Sequence, residues 1–182
     1  GYRRIGELCS KYGVEVVRGS MKRLLDQGEI VARKRLAEMP NGVWEMEEFM
    51  DDDGHGNPVK IKVKITITDD EFLADFTGSS PQVASPINTG YSSLCAGVKV
   101  VYMSILNPSL AVNDGVFRPM RVIAEDGSVL RCHSPAPTSC YFESMIYSSD
   151  VVWKALAPIF PEFLGAGHML SVCSVVLAGL HH

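Results

Sequence analysis

Val59-Lys60-Ile61-Lys62-Val63-Lys64-Ile65-Thr66-Ile67 alternates apolar and polar residues without a fault. Period two sends all five β-branched apolar side chains to one face, so the stretch reads as a strand packed on that face only. Asp69-Asp70 then supplies a turn into Phe72–Phe76, which makes the pair an antiparallel β-hairpin. The three lysines on the open face read most simply as a guard against edge-to-edge pairing.

Upstream, Val43–Met50 places Trp44 and Met46 on one side and Glu45 and Glu47 on the other, a further strand with one wet face. Asp51-Asp52-Asp53 with Gly54, Gly56 and Pro58 reads as a loop. An EF-hand would need later ligands and a distal bidentate Glu, and neither follows. Before these strands, Val17, Met21, Leu24, Leu25, Val31, Leu36 and Met39 recur every three or four positions, predicting a long amphipathic helix over Val14–Met39. Arg18, Lys22, Arg23, Arg33 and Lys34 line its other side, as a solvated face or a meeting surface for an acidic partner. A shorter helix, Arg4–Lys11, precedes it, with a break at Tyr12-Gly13.

Downstream, residues 77–90 form a long polar loop with Gly78, Pro81, Pro86 and Gly90, of a kind that often carries function. A buried helix is expected over Ser92–Leu106 and another over Phe142–Ile159, with strands at Phe117–Ala124 and Val129–Cys132 joined by Glu125-Asp126-Gly127. Hairpins in place of regular βα alternation argue for α+β architecture: a long N-terminal amphipathic helix, then antiparallel β-hairpins packed with two further helices. The expected division is a helical arm over 1–40, an α+β region over 41–180, and His181-His182 as a tag remnant.

The net charge of −4 over 182 residues, with 46% hydrophobic residues, fits a globular domain and gives no basic footprint for nucleic acid. Five scattered cysteines without a CxxC pair read as free thiols, hence a cytoplasmic setting. Phe163–Leu180 is nearly uncharged, but its Gly, Ser and His residues favour a buried element over a membrane span.

No P-loop, GxSxG elbow or HExxH helix is present. The remaining candidates are single residues. Asp75 ends an apolar strand just before Thr77-Gly78, as a turn-locking group or a general base. His168 is a satisfied core imidazole or a site residue. Arg118 before Pro119 is a clamp for carboxylate or phosphate, or an interface ion pair. Cys132 beside His133, and Cys140 ahead of a helix, are possible thiol nucleophiles, although adjacent residues rarely face each other.

Asp75-Phe76-Thr77-Gly78-Ser79-Ser80-Pro81-Gln82-Val83, then Pro86-Ile87-Asn88, then Asn113-Asp114-Gly115-Val116-Phe117-Arg118-Pro119 resemble the hydantoinase B family, in that order. That family includes N-methylhydantoinase, 5-oxoprolinase and the large subunits of acetone and acetophenone carboxylases. The resemblance implies an internal fragment of a several-fold longer subunit. It also implies a hydantoinase A-type ATPase partner that phosphorylates a carbonyl oxygen of a cyclic amide or ketone, after which the activated group is hydrolysed or carboxylated. ATP would belong to that partner and a divalent metal to a segment upstream of Gly1, with no metal ligand in this stretch. Asp75 and His168 are carried as catalytic candidates, and Ser79, Ser80, Asn88 and Arg118 as substrate-binding candidates. A soluble hetero-oligomer with no nucleic-acid or membrane partner is expected, and a subunit-docking module is the non-catalytic alternative.

Overall fold

In a computed structural model of the chain, residues 1–106 and 112–164 are described. The order is α1 (Tyr2–Tyr12), α2 (Val14–Ala37), β1 (Gly42–Met50), β2 (Val59–Ile67), β3 (Phe72–Asp75), α3 (Tyr91–Leu106), a short 3₁₀ turn (Asp114–Phe117), β4 (Met120–Ile123) and α4 (Tyr141–Leu156). The fold is α+β: a four-stranded sheet in the order β1-β2-β3-β4 with helices against its apolar face.

The alternation in β2 is realised residue by residue. Val59, Ile61, Val63, Ile65 and Ile67 are all buried, while Lys60, Lys62, Lys64 and Thr66 lie on the wetter face. Full burial of side chains of this kind contributes about 1.5–3 kcal/mol each, so this strand anchors the core. β1 and β3 both flank β2 antiparallel. The lysines therefore guard no edge, because β2 is an interior strand. They stand instead opposite β1's acids: Glu45 is in register with Lys64 and Glu47 with Lys62, and Lys62 Nζ comes 3.5 Å from Glu45 Oε2. Such cross-strand pairs of opposite charge favour this register over a slip.

The expected second hairpin is absent. β4 covers only the latter part of Phe117–Ala124 and pairs parallel with β3, in the register Phe72↔Met120 to Asp75↔Ile123. Parallel neighbours need a crossover, and α3 provides it. Val129–Cys132 forms no strand of the sheet; isolated bridges there join Ser128 to Pro81 and to Arg131. α3 seats on the sheet through Tyr102, whose ring lies 5.2 Å from Phe72 and whose hydroxyl donates to Val116 O at 3.2 Å. Against α4, Gly97 leaves no room for a side chain: a Cβ there would lie 2.6 Å from Ser149 Oγ.

α2 divides into two halves. Gly28, Ala32 and Leu36 are buried, whereas Met21 and Leu24 of the expected apolar stripe are exposed. The close approach of the 3₁₀ turn fixes the buried half, for a Cβ on Gly115 would fall 1.8 Å from Leu25 O. α1 buries no residue at all, and Gly13, at φ 86°, sets the angle between α1 and α2. His168, Cys173 and most of Phe163–Leu180 lie outside the described residues. Among the described residues no helix is long and apolar enough to cross a membrane.

Candidate functional site

β3 ends at Asp75, opposite Lys64, so the first half of β2 has no strand on that side. Residues 77–80 fill the gap with side chains. Ser79 Oγ accepts the Lys62 N–H at 3.1 Å and donates to Phe76 O at 2.9 Å. Ser80 Oγ accepts the Lys60 N–H at 2.9 Å, while the Ser80 N–H donates to Lys60 O at 2.9 Å. Two hydroxyls thus continue a ladder that the backbone has left. Asp75 Oδ1 accepts the Thr77 N–H at 2.9 Å, a carboxylate locking the turn, and Gly78, at φ 90°, takes a conformation that side chains disfavour.

Asn88 is fully buried and organises the rest of the loop. Its Oδ1 accepts the Val83 N–H at 2.8 Å. Its Nδ2 faces the carbonyls of Val83, Ser85 and Pro137 at 2.8–2.9 Å, which ties the loop to the proline-bearing segment ahead of α4.

Beside this loop run the residues that leave β4, so the carboxyl ends of the parallel pair β3 and β4 meet here. Glu125 Oε2 accepts the Gly78 N–H at 2.9 Å. Asp126 faces two side chains, with Arg131 Nε at 3.3 Å and His133 Nε2 at 3.0 Å. The His133 N–H in turn donates to Gln82 Oε1 at 2.8 Å. Ser79, Pro81, Glu125, Asp126, Gly127 and Ser128 line a small cavity of about 190 Å³ between them. Ser128 Oγ is buried there without a hydrogen-bond partner. Sequence reasoning misses the Asp126–His133 pair, although Asp126 seven residues ahead of His133 across a glycine turn is the available signal. The pairing also settles the orientation of His133, whose imidazole turns to Asp126 and not to Cys132.

Arg118 is remote from this cluster, at the opposite end of β4. Its Nη1 meets Asp26 Oδ1 at 3.0 Å and Glu29 Oε2 at 2.9 Å on α2, in a chain of charges that continues through Lys22 and Arg33. Lys22 and then Arg118 hold the Asp26 carboxyl below its usual range; Arg118 and then Arg33 do the same for Glu29. Arg118 also borders a wide cleft of about 580 Å³ with Tyr91, Cys95, Lys99, Asp114 and Arg121. Burial pushes the Cys95 thiol up, which argues against a thiolate nucleophile there.

The structure therefore brings Asp75, Ser79 and Ser80 together, places Asn88 in the same loop, and sets Arg118 apart. Cys140 stands at the head of α4 with no side-chain cap. Among the described residues no three His, Cys, Asp or Glu side chains are placed to hold a metal ion. In the 51–58 loop the carboxylates turn inward: Asp52 Oδ1 accepts the N–H of Gly54 and of Gly56, and Asp53 Oδ1 that of His55.

The family model for hydantoinase B/oxoprolinase matches residues 1–182. The chain belongs to that family. It is 30% identical over 179 residues to a putative D-/L-hydantoinase B chain of Pseudomonas sp. (strain NS671), covering 92% of this chain and 30% of the relative. It is likewise 30% identical over 173 residues to the caprolactamase beta chain of Pseudomonas jessenii, with 92% and 30% covered. The crystal structure of the ATP-dependent caprolactamase from that organism superposes with a TM-score of 0.81 at 29% identity, over 88% of this chain and 28% of that one. A nucleotide-free acetone carboxylase shares the fold, with a TM-score of 0.79 at 19% identity over 91% and 24% of the two chains. The chain thus spans about 30% of the length of these curated relatives. Matched relatives in this family include subunits of a hydantoinase, of an ATP-dependent caprolactamase and of an acetophenone carboxylase.

Proposed function

We propose that this chain is part of the subunit that opens the ring of a cyclic amide after an ATPase companion has activated the carbonyl. The observation carrying this reading is the 30% identity to two relatives named for ring amides, hydantoinase and caprolactamase. A lactam carbonyl is a poor electrophile because nitrogen donates into it. Transfer of a phosphoryl group from ATP to its oxygen converts the amide to a phosphorylated imidate. Water then adds to the carbon, the C–N bond breaks with proton transfer to nitrogen to leave a ring-opened acyl phosphate, and a second water hydrolyses that to carboxylate and free phosphate. ATP belongs to the companion, and a divalent metal to parts of the polypeptide outside this stretch.

In this reading Asp75, Ser79, Ser80 and Asn88 hold the loop at the carboxyl ends of β3 and β4 in one shape, which is the place where open sheets present ligands. His133, oriented by Asp126, is the proton-transferring group of that rim. Arg118 steadies the wall of the wider cleft. His168 remains a catalytic candidate.

The test is the full-length subunit combined with its ATPase companion, with ADP release measured against hydantoin, 5-oxoproline and caprolactam. Ring opening coupled to ATP hydrolysis supports the proposal. Consumption of a ketone that depends on bicarbonate, with no lactam turnover, replaces it with the carboxylase alternative.

A further inference from the structure

The turn Glu125–Ser128, which carries the chain away from β4, closes against Ser79 and Pro81 around a polar cavity of about 190 Å³. A cleft that holds a whole drug-sized ligand measures about 300–1,000 Å³, so this one takes a single edge of a small molecule. Most polar groups in its walls are engaged within the chain. The Ser79 hydroxyl accepts the Lys62 N–H and donates to Phe76 O. Gly127 O accepts the Gln82 N–H, the Gly127 N–H donates to Arg131 O, and the Ser128 N–H donates to Glu125 O. The Asp126 carboxylate is shared by Arg131 and His133.

Two groups remain. Ser128 is 5% exposed, yet its Oγ has no hydrogen-bond partner. Leaving a buried hydroxyl in that state costs about 1–3 kcal/mol, which a ligand that bonds it recovers. Glu125 Oε2 is fixed by the Gly78 N–H at 2.9 Å, while Oε1 has no hydrogen-bond or ion-pair partner among the described residues. One tight turn therefore offers a hydroxyl donor and a carboxylate acceptor. A cyclic amide presents the complement. Its ring locks the amide cis, so N–H and C=O point from the same edge, whereas an open-chain trans amide points them opposite ways.

We infer that Glu125 is the base for the N–H of the ring amide and that Ser128 donates to the ring oxygen, an assignment that rests on the ring-amide function proposed above. Phosphorylation of a lactam oxygen gives a neutral imidate only when the nitrogen loses its proton. Glu125 Oε1 accepts that proton as the O–P bond forms and ADP departs. The same proton goes back to nitrogen when the C–N bond breaks. The attacking water supplies the second N–H proton and releases its other proton to solvent as the acyl phosphate forms. The Gly78 N–H holds the carboxylate in place throughout, which ties the glycine turn after β3 to the chemistry. His133 is left to serve the attacking water.

The test is steady-state kinetics of the full-length subunit with its companion ATPase, on caprolactam and 5-oxoproline, with a thermal melt of every variant. Glu125→Gln keeps an acceptor for the Gly78 N–H but takes no proton, so kcat should fall about a hundredfold or more while KM changes far less and the melting temperature holds. Glu125→Asp, which keeps the base on a shorter arm, should recover part of that loss. Ser128→Ala should raise KM about tenfold with kcat nearly kept. An active wild type with Glu125→Gln at the same rate, or with a loss matched by a lower melting temperature, overturns this inference alone. A wild type that opens no ring amide overturns it together with the function on which it rests. A crystal structure of the full-length subunit with caprolactam in which Ser128 Oγ meets only water, or a side chain from elsewhere in the polypeptide, also overturns it.

Discussion

Ser80 Oγ accepts the backbone N–H of Lys60 at 2.9 Å, across twenty residues, and so stands where a neighbouring strand would have placed a carbonyl. Ser80→Ala leaves that amide without its acceptor and is expected to cost about 1–3 kcal/mol. Ser79→Ala at the matching position costs a similar amount. Because both act on the β2 ladder, the double variant should fall short of the sum. Urea denaturation of the two singles and the double measures all three quantities.

Asn88 presents one acceptor and two donors to four backbone groups. Asn88→Ala is expected to cost at least about 2 kcal/mol, since it strands several buried groups at once. Asn88→Asp, nearly identical in volume, should do worse, because it turns an acceptor-only carboxylate toward three carbonyls. Thermal melts that ranked Asp above Ala would refute this account of the loop.

Arg118, Asp26 and Glu29 lie at the surface, so Arg118→Met changes the salt and pH response more than the stability itself. Both carboxyls are depressed from ordinary values of 3.8 and 4.5 in the folded chain. Their contribution is therefore complete above those values and fades as pH falls through the lowered ones. The gap between wild type and Arg118→Met should be widest near neutrality, shrink in acid, and narrow with added salt; a gap that grows in acid contradicts the network.

Asp150 is 2% exposed and its carboxylate is answered by Lys154 at 2.8 Å, which also reaches Glu48. Lys154→Met isolates a buried charge. About 2 kcal/mol is expected, below the 3–5 kcal/mol of a fully enclosed pair because Lys154 is 41% exposed. Adding Asp150→Asn should restore much of the loss in a double-mutant cycle.

Gly115→Ala would drive a methyl group into the carbonyl of Leu25. A backbone atom cannot swing aside as a side chain can, so the 3₁₀ turn must lift off α2. A loss of about 1–3 kcal/mol is expected, with increased hydrogen exchange at α2 residues 24–28.

What can be read from the sequence is whatever repeats at short range. The alternation of Val59–Ile67 places β2 and its inward face, the apolar surround of Leu94–Ile105 places α3, and Gly13 marks the break between helices. Parallel pairing of β3 with β4 depends on a contact between residues nearly fifty positions apart, for which no local pattern exists. The part that the Ser79 and Ser80 hydroxyls play in the β2 ladder is not legible either, because a polar loop in a sequence shows its donors and acceptors but not the backbone groups they meet. Asp126 and His133 are hidden by the opposite difficulty, since their meeting needs the turn at Gly127 to be known. Met21 and Leu24 mislead in another way: helical periodicity reports a face that wants covering, and cannot tell whether this chain or another supplies the cover.

The crossover between β3 and β4 also sets an order of events during synthesis. The β1–β2–β3 meander can assemble from contiguous residues, but its outer strand stays open until α3 has emerged and settled and the segment beyond it returns. A ribosome paused in α3 would therefore hold out a nascent sheet with Phe72 and Ala74 on a raw margin, the moment at which a chaperone has most to protect.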